Sequence, residues 1–267
     1  MVTLLTMGAG NVKVLKETLK SFSGVCNEVI YGNMLLFPED YEILKSYQKE
    51  FNLKIVDFPF NFIFKYGFSQ LLNALANRAT NDMVMYMNTS EVIDEDYGIS
   101  DLIKNNSDCN AFYFIHRTDP HRWYRIYNRW QLHWSGLIHE QLIGEYNPYH
   151  KPVFMMADME KDLDDPLKSK ILNDVKEICY FQQYNTIVEH PERLGETNEG
   201  WLRFATNDYD SMKERLLKKG KRYDAFKLGR LDIYMDDVLT NPEFETERFE
   251  SSLKIEFQGD PMFLGKK

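Results

Sequence analysis

Two groups of polar residues in the first half of the chain have side chains suited to chemistry. One is Asn88–Glu91, which directly follows an apolar run, and the other comprises Arg125, Arg129 and the dipeptide His139-Glu140. Arginine makes bidentate contacts with phosphate oxygens. Imidazole titrates near neutral pH, and a carboxylate can serve as a general base. These residue types suit a site that holds a phosphate-bearing ligand and moves a proton.

Each of these residues also fits an ordinary structural role. Asn88 and Ser90 are typical turn formers, and Glu91 fits a solvated loop or a helix cap. Arg125 fits a surface or strand-pairing charge, and a single histidine such as His139 is often only a structural hydrogen-bonding residue. Their position in the fold therefore has to distinguish the two interpretations.

The residues before Asp94 alternate between strand-like and helical patterns. This alternation predicts an α/β fold with a mostly parallel sheet and helices on both faces. Ligands of such sheets bind beyond the carboxyl ends of the strands, where Gly8–Asn11, Gly32–Asn33 and Asn88–Glu91 fall. The predicted strands are Val2–Met7, Glu28–Tyr31, Leu53–Phe58 and Met83–Met87, and the predicted helices are Val12–Phe22, Pro38–Phe51 and Ser69–Ala79.

After Asp94 the pattern changes from alternation to a few strands followed by helices. We expect a domain boundary between residues 165 and 166, with an α/β domain over 1–165 and a mainly helical extension over 166–267. The expected strands are Ala111–His116 and two within Arg122–Leu137, and the expected helices are Ser169–Tyr184, Asn207–Gly220 and Arg222–Met235.

Composition excludes several classes of protein. The chain has 267 residues and a formal net charge of −9, which disfavours non-specific binding to nucleic acid. Cys26, Cys109 and Cys179 are far apart and lack metal-site spacing, so we expect neither a disulfide framework nor a zinc site. Because free cysteines are typical of a reducing compartment, we expect a cytoplasmic location. No apolar run is long enough to predict a membrane span.

Two segments together resemble family 2 glycosyltransferases with the GT-A fold. Residues 66–91 are similar to that family's central stretch, in which a helix and an apolar strand lead to an acidic DxD motif. Tyr124–Arg129 followed by Trp134–Glu140 is similar to its later signature, which ends in His-Glu. The resemblance covers roughly residues 1–145. It implies a GT-A-like, Rossmann-like sheet and transfer of a sugar from a nucleoside diphosphate sugar, expected to be a UDP-sugar, to an acceptor hydroxyl with inversion.

The resemblance also implies a divalent cation, Mn²⁺ or Mg²⁺, held against the donor diphosphate. Such hard cations prefer carboxylate oxygens. In this chain the DxD motif falls on Asn88-Thr89-Ser90, which has no acidic residue, and only the acid that follows the motif, Glu91, is present. We expect the metal ligands to be Glu91, Ser90 and His139. Two alternatives remain open: arginine or lysine neutralises the leaving group without a metal, or catalysis has been lost.

Roles for further residues follow from the same resemblance and from the predicted strand order. Glu140 is the expected general base, with His139 as its competitor, and Arg125 and Arg129 are expected at the leaving group. The residues expected at the nucleotide, sugar or diphosphate are Thr6, Gly8, Asn11, Asn33, Lys65, Tyr66, Asn88 and Ser90.

Two basic stretches, residues 116–129 and 213–230, stand out in this acidic chain. They suggest an acceptor that carries negative charge, such as DNA with a hydroxymethylated base, while a glycan or lipid-linked glycan acceptor remains equally open. The competing hypotheses are a non-catalytic nucleotide-sugar-binding module and a nucleotidyltransferase. The second is disfavoured because the chain lacks a glycine-rich loop with a nearby arginine after the first strand.

Overall fold

The structure is a computed structural model, and it describes residues 1–8, 10, 12–34, 36–136, 141–159, 166–190, 213–214 and 217–240. Its strands are β1 (Val2–Gly8), β2 (Cys26–Asn33), β3 (Leu53–Asp57), β4 (Met83–Tyr86), β5 (Glu91–Asp96), β6 (Ala111–His116), β7 (Asp119–Asn128), β8 (Leu132–Ser135), β9 (Gln141–Gly144) and β10 (Pro148–Asp158). Its helices are α1 (Val12–Phe22), α2 (Asp40–Phe51), α3 (Phe62–Tyr66), α4 (Phe68–Ala76), α5 (Ile99–Asn105), α6 (Pro166–Glu189), α7 (217–228) and α8 (Leu231–Thr240).

The main sheet has eight strands in the order β3-β2-β1-β4-β7-β6-β10-β5. The first four are parallel to one another. β7 is antiparallel to both β4 and β6, and β10 is parallel to β6 and antiparallel to β5. β8 and β9 form a separate two-stranded sheet. The predicted α/β fold is confirmed, and its parallel pairs are concentrated in the half that begins the chain.

Helices cover both faces of the sheet, as predicted. Leu4 and Leu5 are both fully buried, but in different cores. Successive strand residues point to opposite faces, so one core receives α1, α2 and α5 and the other receives α3, α4, α6, α7 and α8. A strand that is buried on both faces reads as a continuous apolar run, which is why β1 was recognisable from sequence.

Several elements differ from the sequence prediction. The helix expected over Arg222–Met235 is two helices, because Gly229 adopts a positive φ of 71° between α7 and α8. A side chain there would approach Asn61, whose Nδ2 donates to the carbonyl oxygen of Phe226 over 2.8 Å. The helix expected over Asn207–Gly220 lies mostly outside the described residues. Elements that the sequence did not predict are α3, α5, β5, β9 and β10.

A buried polar network joins the C-terminal helices. Asp174 of α6 is fully buried, and it accepts hydrogen bonds from Lys219 Nζ at 2.7 Å and Tyr234 Oη at 2.9 Å. Arg222 Nη1 lies 3.6 Å from the same carboxylate. Burial, followed by the nearby charge of Asp174, raises the pKa of Tyr234. One carboxylate therefore holds α6, α7 and α8 together, while the expected boundary at residue 165 stays a prediction.

Among the described residues, we find no helix with the length and apolar composition needed to span a bilayer.

Glu28, on β2, links three neighbouring segments: β1, β3 and the segment that precedes β4. Its buried carboxylate accepts hydrogen bonds from Thr3 Oγ1 at 2.6 Å and from the backbone N–H of Thr80 at 2.8 Å, and it also binds Lys54. Burial alone would raise the pKa of Glu28, but these hydrogen bonds outweigh it and bring the pKa from its ordinary 4.5 down to about 2.

This lowered pKa predicts a pH-dependent contribution to stability. The folded state favours the charged form, so the contribution is complete above the unfolded-state pKa and is lost as the pH falls toward the folded-state value. We expect the difference in unfolding free energy between wild type and Glu28→Gln to shrink by about 2–3 kcal/mol between about pH 5 and pH 2. Urea unfolding across this range measures it, with the exposed Asp101→Asn as control. A difference that stays constant with pH would contradict the hydrogen-bonding explanation.

Candidate functional site

The carboxyl ends of the parallel strands meet at one edge, which we call the carboxyl-end edge. Gly8 at the end of β1 pairs with Asn33 at the end of β2, and Asn33 pairs with Asp57 at the end of β3. The backbone N–H of Met87 donates to Leu5 at 3.0 Å, which extends the β4 pairing toward Asn88. Three predicted site residues, Gly8, Asn33 and Asn88, therefore lie along this edge.

The surrounding atoms leave no room for a side chain at Gly8. A Cβ built on it would lie 2.5 Å from the hydroxyl oxygen of the buried Tyr31 and 3.4 Å from Thr89 Cγ2. Thr89 is itself held at its carbonyl oxygen by the hydroxyl of Thr18, over 2.8 Å. The end of β1 thus packs directly against the loop that follows β4, which brings the predicted Asn88–Glu91 segment beside the first strand.

Asn33 and Asp57 form a hydrogen-bonded pair at the end of β2 and β3. Asn33 Nδ2 donates to Asp57 Oδ1 over 2.9 Å, and the Tyr41 hydroxyl donates to the other carboxylate oxygen at 3.5 Å. Sequence reasoning named Asn33 but missed Asp57. The available signal was that Asp57 lies at the end of the predicted third strand, at the same edge as the other candidates.

The loop after β4 holds a buried ion pair. Glu91 is 4% exposed, and Arg125 Nη1 lies 2.9 Å from each of its carboxylate oxygens. The backbone N–H and the side-chain Nδ2 of Asn88 each donate to Glu91 over 2.7 Å. Arg125 also lies over the ring of Tyr86, with its Cζ 5.1 Å from the centroid, and Tyr86 donates its hydroxyl to Asn88 Oδ1 at 2.7 Å. The predicted residues Asn88, Glu91 and Arg125 thus form one connected cluster.

This cluster bears on the expected metal ligands. Each oxygen of Glu91 accepts two hydrogen bonds, which fills the lone pairs of a carboxylate. Ser90 is buried, and its carbonyl oxygen accepts from the backbone N–H of Met159 over 2.8 Å. Within the described ranges, no three His, Cys, Asp or Glu side chains are grouped to hold an ion. The oxygens of Glu91 as arranged have no lone pair left for Mn²⁺ or Mg²⁺, and we derive no step through a metal. The expected metal at Glu91, Ser90 and His139 stays a prediction, since His139 lies outside the described residues.

Thr6 and Tyr66 lie in contrasting environments. Thr6 is fully buried, and in the described part of the chain its hydroxyl has no hydrogen-bond partner. Tyr66 ends α3, is 51% exposed and packs its ring 4.9 Å from that of Phe62. Of these two predicted ligand contacts, Tyr66 presents a side chain to solvent and Thr6 does not.

Arg129 lies away from Arg125. β7 runs antiparallel to β4, with Ile126 opposite Met85 and Asn128 opposite Met83, so Arg129 follows at the amino end of β4. There Arg129 Nε donates to the carbonyl oxygen of Asn81 over 2.9 Å. The structure therefore separates two arginines that the sequence placed together.

Asn11, His139 and Glu140 lie outside the described residues, and their expected roles at the nucleotide, the metal and the acceptor stay predictions.

His116 and Asp158 form a pair that sequence reasoning did not identify. His116 Nε2 lies 3.4 Å from Asp158 Oδ2 and is buried without a hydrogen bond in the described chain, while Nδ1 lies 2.9 Å from Thr118 Oγ1. Asp158 pairs with Glu91 across β10 and β5, which places the histidine close to the Glu91 cluster. The available signal was the position of His116 as the last residue of a predicted strand.

Many charges of the two basic stretches are paired with acids of the same chain. In residues 116–129, Arg117 pairs with Asp94 and Arg125 with Glu91. The pair of Arg117 with Asp94 lowers the positive charge that the surface of this stretch offers to a polyanion. The pairs of the second stretch are Lys219 with Asp174 and Glu177, Lys221 with Asp236, Arg222 with Asp237, and Arg230 with Asp232.

No protein-family model and no curated protein sequence matches the chain. Among solved structures it is similar to S. aureus TarS 1–349, at 10% identity over 92% of this chain and 93% of that one, with a TM-score of 0.42. It is also similar to a longer S. aureus TarS chain, at 12% identity and a TM-score of 0.43, over 87% of this chain and 54% of that one.

A third similar structure is the glycosyltransferase GlyE of Streptococcus pneumoniae TIGR4. The identity is 13% and the TM-score 0.31, over 48% of this chain and 34% of that one. These neighbours are too distant for their activities to be assigned to this chain.

Proposed function

We propose that this chain is a glycosyltransferase that takes a sugar from a nucleoside diphosphate sugar, expected to be a UDP-sugar, bound at the carboxyl-end edge. The observation that carries the proposal is Arg125, whose guanidinium lies over Tyr86 at the end of β4 and is held by the buried carboxylate of Glu91. This is the place where the motif resemblance puts the donor diphosphate.

Arg125 would stabilise the leaving nucleoside diphosphate as charge builds on it. A fixed cation in a partly buried site is effective because it needs little reorganisation during the reaction. Glu91 and Asn88 would act as positioning residues, since their hydrogen bonds orient the guanidinium without contacting the donor. This favours the metal-independent alternative left open by the sequence, with Arg125 in place of the cation.

The nucleoside would lie toward Asn33 and Asp57. A carboxylate and an amide in hydrogen-bond contact offer acceptors and donors that match ribose hydroxyls and the polar edge of a base. Gly8 keeps the end of β1 free of a side chain between this pair and Thr89. The two ends of the donor would then be recognised by separate parts of the same edge.

Transfer requires a base that removes the acceptor proton. The acceptor oxygen attacks the anomeric carbon, the bond from that carbon to the diphosphate oxygen breaks, and the base takes the hydroxyl proton. Glu140 remains the base implied by the motif. His116, paired with Asp158 and close to Glu91, is a second candidate suggested by the geometry.

The acceptor is proposed to be a glycan or lipid-linked glycan. The alternative acceptor is a hydroxymethylated base in DNA, and internal pairing of Lys219, Lys221 and Arg222 makes it the less favoured choice. Cys26, Cys109 and Cys179 are free thiols, which supports a cytoplasmic location as part of the proposal.

Release of nucleoside diphosphate from UDP- and GDP-sugars, followed with EDTA and separately with Mn²⁺, tests the proposal. We expect turnover in EDTA and a loss of about 10²–10³-fold in kcat for Arg125→Lys, which keeps the charge but not the planar fork. Arg230→Lys is the matched control, since Arg230 is exposed and pairs with Asp232.

Three other results of this experiment would lead to different conclusions about the function. Nucleotide binding without any release would support the alternative, a non-catalytic nucleotide-sugar-binding module of the same fold. Turnover that requires Mn²⁺ would return the leaving-group role to a metal at Glu91 and His139. Failure to bind any nucleotide sugar would reject both functions.

A further inference from the structure

An exposed tryptophan stands at the edge of the sheet opposite the proposed donor site. Trp130, in the turn between β7 and β8, is 68% exposed. Its indole Nε1 donates to Asp82 Oδ1 over 2.8 Å, and its backbone N–H donates to Asn128 Oδ1 over 3.0 Å. The guanidinium of Arg129 lies 3.9 Å from the ring centroid. The ring is therefore fixed in place while most of its surface remains accessible.

A groove of about 760 Å³ lies beside the turn that carries Trp130, and its lining includes the next residue, Gln131, but not Trp130 itself. It lies at the amino ends of β1, β2 and β4, where Val2, Cys26 and Met83 contribute to its wall. Asp82 and Asn128, the two hydrogen-bond partners of Trp130, also line it. A cavity of this size accommodates a ligand of several sugar units rather than a single ring.

Polar side chains of the groove are available to a ligand. Asp101 and Lys104 of α5, and Asp108 just after it, line the cavity, and among the described residues their side chains make no hydrogen bond or ion pair. With Asp82 included, three carboxylates line the groove together with the ammonium groups of Lys104 and of Met1 at the N-terminus. These mixed charges leave carboxylate acceptors and ammonium donors for hydroxyl groups, and they give the groove no excess of positive charge for nucleic acid or a phosphorylated glycan.

We propose that Trp130 and this groove form a binding site for a neutral oligosaccharide. One sugar ring stacks its C–H face on the indole. The hydroxyl groups of neighbouring sugar units donate hydrogen bonds to the carboxylates of Asp82, Asp101 and Asp108. Prior ordering of the indole reduces the entropy lost on binding.

This site is separate from the proposed donor site. β1 runs from the groove to the carboxyl-end edge, and its seven residues span about 20 Å. A ligand in the groove therefore does not contact Arg125 or Glu91. Its binding is expected whether or not the chain transfers sugars.

The test is the binding of maltohexaose and N-acetylchitohexaose to the full chain, measured by saturation-transfer NMR and tryptophan fluorescence. We expect binding of at least one of them, weakened about tenfold or more by Trp130→Ala. Leu228→Ala is the matched control, because Leu228 is also 68% exposed but lies on α7. Gln131→Ala, at the groove wall, should weaken binding without removing the tryptophan.

Three results would overturn the proposal. These are no binding of either hexasaccharide up to about 10 mM, equal binding by wild type and Trp130→Ala, and preferential binding of a sulfated heparin hexasaccharide. Because the readout uses no nucleotide sugar, failure here leaves the proposed transferase activity untouched, and failure of transfer leaves this site untouched.

Discussion

Arg125→Met is expected to lower the free energy of unfolding by about 3–5 kcal/mol, because it leaves the carboxylate of Glu91 buried without its counter-charge. Glu91 is 4% exposed and receives two of its four hydrogen bonds from this arginine. Methionine keeps a long apolar chain against Tyr86, so the loss reports mainly on charge rather than on packing. Urea unfolding of the two purified proteins measures the difference.

The double variant Glu91→Gln/Arg125→Met separates the unpaired charge from the other contacts. Removing both charges should recover much of the stability lost in Arg125→Met, since no buried ion then lacks a partner. Arg117→Met is the control, because Arg117 is exposed and lies 3.6 Å from Asp94, and its effect should stay below about 1 kcal/mol. A loss in Arg125→Met as small as that of the control would show that the pair is not the buried anchor of the site.

Asp174→Asn is expected to lower the free energy of unfolding by about 2–3 kcal/mol, because the fully buried carboxylate accepts charge-assisted hydrogen bonds at this position. Lys219 keeps Glu177 and Arg222 keeps Asp237 as partners, so neither cation is left unpaired. Because these contacts join α6, α7 and α8, far-ultraviolet circular dichroism during urea unfolding should show the loss of helix shifted to lower denaturant.

Asp232→Asn is the matched control for this variant. Asp232 pairs with Arg230 at the surface, where an ion pair contributes about 0–1 kcal/mol. Equal effects of the two substitutions would mean that the Asp174 network adds no more than a surface pair. Little effect from Asp174→Asn would instead place the cohesion of the C-terminal helices in apolar contacts such as Phe226 with Tyr234.

The first half of the fold was predictable because β1, β2 and the start of β4 lie in the interior of the sheet. Runs such as Val2–Met7 are largely apolar, and amphipathic helices separate them, so local pattern was sufficient. β5 begins at Glu91 and is largely acidic, and within the described residues β10 is its one strand partner in the sheet. Such an element depends on partners that are distant in sequence, and local pattern cannot reveal it.

The candidate site was predictable in its location and only partly in its composition. The edge followed from strand order, and Gly8, Asn33 and Asn88 lie on it. The contact between Glu91 and Arg125 joins residues 34 positions apart. It depends on β7 lying antiparallel beside β4, a pairing that the sequence analysis did not specify. The same pairing carries Arg129 to the other end of the strand.

His116 illustrates a different limit. In the sequence it was only one charge in a basic stretch, because its neighbours are arginines and aromatics. Its significance comes from Asp158, which β10 brings within 3.4 Å, and β10 was not predicted. Residues that act as pairs across unpredicted strands are therefore those that sequence reasoning misses.

The most direct measurement of the central claim is the melting temperature of the full chain with UDP, first in EDTA and then with Mn²⁺. A ligand that binds the folded state raises the melting temperature by mass action. We predict a rise with UDP in EDTA, not enlarged by Mn²⁺ and reduced in Arg125→Lys, because Arg125 rather than a cation meets the diphosphate. A rise that appears only with Mn²⁺, or no rise with any nucleoside diphosphate, would contradict a donor site built on Arg125.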